Sequence, residues 1–220
     1  MTTPGDGGGP SRYGSQVPAA TFSLIGLLPE EVIEVSALFA QAEPEVLRAR
    51  LLEEAGFPWA HAFDVAWQKD PAEARARGLF DLLWHQRARE RDPMMTAPDY
   101  SGFNVLLEAI AQIEPGVARL LSHIDACRTD NPRRRAGPPW WAAWHTGTAT
   151  TPCGWLELDE VRALHEAWPR IAVPELEEAC LTALGATYTH PGCWRLLADL
   201  GGFFAQCASE QRVVVAELDA

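Results

Sequence analysis

Apolar residues recur at helical spacing over most of this chain. Leu28, Val32, Val35 and Phe39 step by four, three and four positions, which places them on one face of a helix. Pro29 in the first turn, with Glu30 and Glu31 beside the positive end of the helix dipole, predicts where that helix starts. Further helices are predicted over 45–54, stopped by Gly56 and Pro58, over 59–67, and from Pro71 to about Arg91 with Leu79 and Leu83 inward. The arginines of that last helix, Arg75 among them, are expected on a solvated or ion-paired face. Phe103, Leu106, Leu107, Ile110 and Ile113 form the next amphipathic face, closed by Pro115, and 117–127 reads as its successor. In the last third, Val161, Leu164 and Trp168 mark a helix over 158–168, and Pro174 introduces one with Leu176, Cys180 and Leu184. Pro191 opens another, in which Trp194, Leu197, Gly201, Phe204 and Ala208 keep the three-four spacing.

Two stretches read as strands instead, Thr21 to Leu27 and the β-branched run Val213, Val214, Val215. The expected fold is therefore mostly α (α+β), a compact multi-helix domain with one or two short strands at about 21–27 and 212–218. Residues 1–20 are rich in Gly, Pro and Ser without an apolar period, which predicts a flexible arm ahead of a single domain over 21–220. The helical pattern breaks down at about 129–154, an unusually long irregular segment for a compact domain. There Arg133, Arg134 and Arg135 are followed by Trp140, Trp141, Trp144 and His145.

With 220 residues, 47% of them hydrophobic, the chain has enough apolar surface to fold without a disulfide or metal. Cys127, Cys153, Cys180, Cys193 and Cys207 are odd in number and contain no CxxC pair, so a disulfide framework is not expected. No stretch approaches the roughly 20 apolar residues of a membrane span, and residues 1–11 lack the pattern of an export signal. The expectation is a cytoplasmic protein with no membrane association. The net charge of −12 is unevenly distributed: residues 1–60 carry 8 acids and 3 bases, 61–152 carry 11 of each, and 153–220 carry 11 and 4. Acidic ends repel phosphate backbones, which disfavours general nucleic-acid binding, and they favour a basic protein partner.

Motifs for chemistry are sparse. Gly7, Gly8 and Gly9 lack the downstream lysine of a phosphate loop, the only lysine being Lys69. His165 and Glu166 begin like a zinc-protease helix, but Pro169 stands where the second histidine belongs. Glu157 with Asp159, near a helix start, reads as dipole-compensating rather than as an acid-base pair. His145, Cys153, His190 and Cys193 have the residue types of a four-ligand zinc set, although only His190 and Cys193 are close in sequence. No catalytic residue and no cofactor is assigned from these patterns. Tryptophan and arginine are enriched at binding hot spots, which makes Arg133, Arg134, Arg135, Trp140, Trp141 and Trp144 the expected partner surface. The other tryptophans, on periodic elements, are expected in the core.

Tyr100 with Leu106, Leu107 and Glu108, then Gly154, Trp155, Leu156, Asp159, Glu160 and Val161 opening a helix, and the terminal Val213 to Val215 resemble the YfbM-like group of uncharacterised bacterial domains. Phe63, Asp64, Val65, Ala66 and Trp67 are similar to that group's acidic-then-Ala-Trp helix, with Gln68 where a histidine is common. The resemblance implies a fold, with some relatives among toxin-neutralising immunity proteins, and offers no established catalytic residues to carry over. Three functions follow as expectations. The first is a non-catalytic protein-binding module, such as an immunity or antitoxin-like inhibitor of a basic partner. The second is a small metal protein or enzyme centred on His145, Cys153, His190 and Cys193, and the third a structural subunit of a larger assembly.

Overall fold

The computed structural model describes residues 21–90, 94–97, 100–125, 131, 133, 153–184 and 191–219. Strand β1 (Thr21–Leu27) is followed by helices α1 (Pro29–Gln41), α2 (Pro44–Glu54), α3 (Phe57–Lys69) and α4 (Pro71–Glu90). Strand β2 (Met94–Ala97) precedes α5 (Tyr100–Ile113) and α6 (Pro115–Ser122). Strand β3 (Cys153–Leu156) leads into α7 (Leu158–Ala167), a 3-10 turn at Trp168–Arg170, α8 (Val173–Leu184), α9 (Pro191–Ser209) and β4 (Val213–Asp219). Helix dominates, as the apolar spacing predicts, and the two expected strands pair with each other antiparallel, Thr21 opposite Asp219 through to Leu27 opposite Val213. The sheet also contains two short strands that the pattern does not announce, in the order β2-β1-β4-β3.

Local chemistry accounts for the helix boundaries. Prolines occupy the first turns of α1, α2, α3 and α6, where the backbone N–H they lack would have no helical partner. Asp70 caps α4, its Oδ1 accepting from the amides of Ala72 (3.0 Å) and Glu73 (3.2 Å). Gly56, at φ 99°, turns the chain between α2 and α3 in a conformation that a side chain would strain. Arg75 departs from the solvated or ion-paired face expected for α4. It turns inward, donates to the carbonyls of Phe39 and Ala42 at the end of α1, and stacks 4.7 Å from the Trp67 ring.

The two central strands distribute their side chains to two separate cores. Ile25, Leu27, Val213 and Val215 join the first, with Phe39, Leu47, Leu51, Phe63, Leu79 and Leu83 from α1 to α4. Leu24, Val214 and Ala216 join the second, with residues of α5 to α9 such as Phe103, Ile110, Leu121, Leu164, Leu176 and Phe204. Alternation along a strand thus divides the helices into two layers, one on each face of the sheet. Burial on both faces explains why the second half of β1 and the start of β4 read as apolar runs without polar alternation.

Candidate functional site

Among the described residues, a connected polar cluster lies where strand β3 turns into α7. Glu157 and Glu160 form a reciprocal capping box, in which the Glu160 carboxylate accepts from the Glu157 amide at 2.8 Å. The same carboxylate accepts two bonds from Arg133, Nη1 at 2.6 Å and Nη2 at 2.9 Å, and lies 3.0 Å from Nδ1 of His123. Arg133 Nη1 also donates to the Trp155 carbonyl at 2.7 Å, and its guanidinium carbon stands 5.2 Å from the centroid of the buried Trp155 ring. The side chains of Arg133, Glu160 and His123 are each about four-fifths buried, so this is an ion pair largely withdrawn from water.

Burial alone would push the Glu160 carboxyl up. Hydrogen bonds from Arg133 and the Glu157 amide, with the charges of Arg133 and His123, outweigh it and hold the group below the usual carboxylate range. A carboxylate has about four acceptor positions, and Glu160 uses four bonds here. It is therefore suited to holding segments together rather than to taking protons from a substrate. The His123 ring, oriented through Nδ1, has one part of a base-orienter pair. Its neighbour Ser122 donates its hydroxyl to the Arg119 carbonyl at 2.6 Å.

The chain leaving α6 is strapped to β3. Asn131 Nδ2 donates to the carbonyls of His123 (3.1 Å) and Asp125 (2.9 Å), while its Oδ1 accepts from the Arg133 amide at 2.9 Å. Gly154 makes the close approach possible: a Cβ there would lie 2.6 Å from the His123 carbonyl oxygen and the Ile124 Cα. Beside the strap, α5 and α6 border an open groove of about 530 Å³. Asn104, Leu107 and Glu108 form one wall, Ala118 and Arg119 the other, and the buried Asp125 lies at one end.

Of the residues expected at a partner surface, Arg133 is in the cluster, with its guanidinium directed to Glu160 and Trp155. Arg134, Arg135, Trp140, Trp141 and Trp144 lie outside the described residues, as do His145 and His190. Cys153 begins β3 and Cys193 lies in the first turn of α9. Among the described residues, no group of three or more His, Cys, Asp or Glu side chains is placed to hold a metal ion. Cys207 is fully buried, and burial pushes its thiol up to about 12, so it behaves as a small apolar group. Trp155 is in the interior as expected, whereas Trp59, Trp67, Trp84 and Trp168 are only partly buried. No described helix is long and apolar enough to cross a membrane.

Neither Glu160 nor His123 stands out in the sequence as a site residue, and Asn131 carries no signal at all. The available hint is the Glu157-x-x-Glu160 spacing ahead of an apolar period, a capping-box pattern. The helix expected over 158–168 runs from Leu158 to Ala167, and Cys153–Leu156 just before it pairs with β4. Compared with known protein families, curated proteins and solved structures, the chain matches none.

Proposed function

We propose that the chain is a non-catalytic protein-binding module that uses the aromatic and basic residues of the segment at about 129–154 to engage a protein partner. The observation that carries this reading is the double anchorage of that segment. Arg133, which precedes Arg134, Arg135 and the three tryptophans, is bonded to Trp155 and Glu160, which follow them, so the described residues on either side are held together at the sheet rim. A contact segment with a braced base loses less freedom on binding, and Trp and Arg are the residue types that most often dominate binding energy. Arg133 serves as the brace, leaving Arg134, Arg135, Trp140, Trp141 and Trp144 as the contact candidates.

The charge of −12, concentrated toward the two ends of the chain, favours a basic partner. An immunity or antitoxin-like inhibitor is the form of this reading that the YfbM-like resemblance favours, acting where the partner acts, in the cytoplasm. Affinity capture from host extract with wild type and a W140A/W141A/W144A variant tests it, with far-UV circular dichroism confirming that both are folded. A basic protein retained by wild type, released by salt and lost with the variant is the expected result. Equal retention by both proteins, or no partner at low and physiological salt, would refute it.

A further inference from the structure

Helices α5 and α6 are joined by Glu114 alone, and each presents a stripe of side chains to the groove between them. Asn104, Leu107 and Glu108 are neighbours on one face of α5 at i, i+3 and i+4, and Pro115, Ala118 and Arg119 repeat that spacing on α6. An acid and a base therefore stand on opposite walls with apolar side chains between them. Both are exposed, yet they do not form an ion pair with each other. Among the arginines whose side chains are described, Arg119 alone has a guanidinium without an ion pair, hydrogen bond or ring contact. Arg48, Arg133, Arg162 and Arg212, by contrast, each meet a carboxylate. Among the described residues, the side chains of Asn104 and Glu108 have no bonded partner either.

We propose that this groove binds a small zwitterion, an apolar α-amino acid, with its carboxylate on Arg119 and its ammonium on Glu108. The planar guanidinium fork matches a carboxylate through two parallel bonds, and a carboxylate accepts from an ammonium. A simple anion would face Glu108 and a simple cation would face Arg119, so a ligand carrying both signs is the one that meets no repulsion. Leu107 and Ala118 offer an aliphatic side chain an apolar surface, and the Asn104 amide can donate or accept beside it. The volume of about 530 Å³ lies within the range of small-ligand sites, roughly 300–1,000 Å³. Both charges open to water, so each contributes modestly and the pair together sets the choice of ligand.

The site is independent of the partner-binding reading and is tested on the purified full chain without a partner. L-leucine is titrated while backbone amide shifts are followed by NMR, alongside N-acetyl-leucine, which lacks the ammonium, and leucinamide, which lacks the carboxylate. The expected result is saturable shifts at 104–108 and 118–122 with leucine, and affinity about fivefold weaker for each blocked analogue and for E108Q and R119Q. Both substitutions are at exposed positions and should leave the fold intact, which far-UV circular dichroism checks. Should either variant not fold, the analogues decide alone, because they leave the protein unchanged. No saturable shift with leucine, shifts confined to other residues, or blocked analogues that bind as tightly as leucine would overturn the proposal.

Discussion

At the scale of single residues, Glu160 shows how a helix-start carboxylate can take on a larger task. Acidic residues in a first turn commonly answer the helix dipole, and by position Glu160 is one of these. Its other partners lie 37 and 27 residues away, at His123 and Arg133, and no local pattern connects them. The depressed carboxyl has a defined consequence for stability. The unfolded chain takes up the proton first as pH falls, so the contribution of Glu160 is complete above about 4.5 and is lost as pH drops through the lower folded-state value. Glu160→Gln should cost about 2 kcal/mol at neutral pH. Denaturant titrations should show that difference shrinking as the pH is lowered below the carboxylate range, whereas a constant difference would mean the charge is not the stabilising feature.

At the scale of elements, the helices were the legible part. Prolines in first turns and three-four apolar spacing place them to within a few residues, because both signals are local. The long strands were legible from apolar, partly β-branched runs. Strands β2 and β3 were not, since four residues are too few to establish an alternation, and Cys-Gly-Trp-Leu owes its extended form to β4 rather than to its own propensity. Gly154 belongs to the same lesson. It reads as punctuation in an irregular region, yet its place is set by the backbone of His123 and Ile124 crossing the strand. Backbone has little room to yield, so Gly154→Ala should destabilise by about 3 kcal/mol. That corresponds to a fall in melting temperature of roughly 10 °C for a chain of this size. A calorimetric scan with an unchanged midpoint would show that the strap moves aside freely.

At the scale of the whole molecule, the sheet divides the apolar residues between two helical layers, and the clasp at its rim ties elements distant in sequence. It joins the end of α6, the chain at 131 and 133, strand β3 and the start of α7. Two layers could not be read from apolar spacing, because the 3.6-residue period gives each helix an inner face without saying which side of the sheet that face meets. The candidate site was legible only as composition: the sequence indicated Arg133 as part of a contact surface, whereas its guanidinium is directed to Glu160 and the Trp155 carbonyl.

That inward role is the central structural claim, and a thermodynamic cycle on the pair tests it most directly. Denaturant unfolding of wild type, R133Q, E160Q and the double variant at neutral pH isolates the energy that the two residues share. A coupling of about 2 kcal/mol is expected, because each single change leaves a mostly buried partner without its counter-charge. Effects that add to within about 0.5 kcal/mol would contradict the account and return Arg133 to the solvent-facing surface.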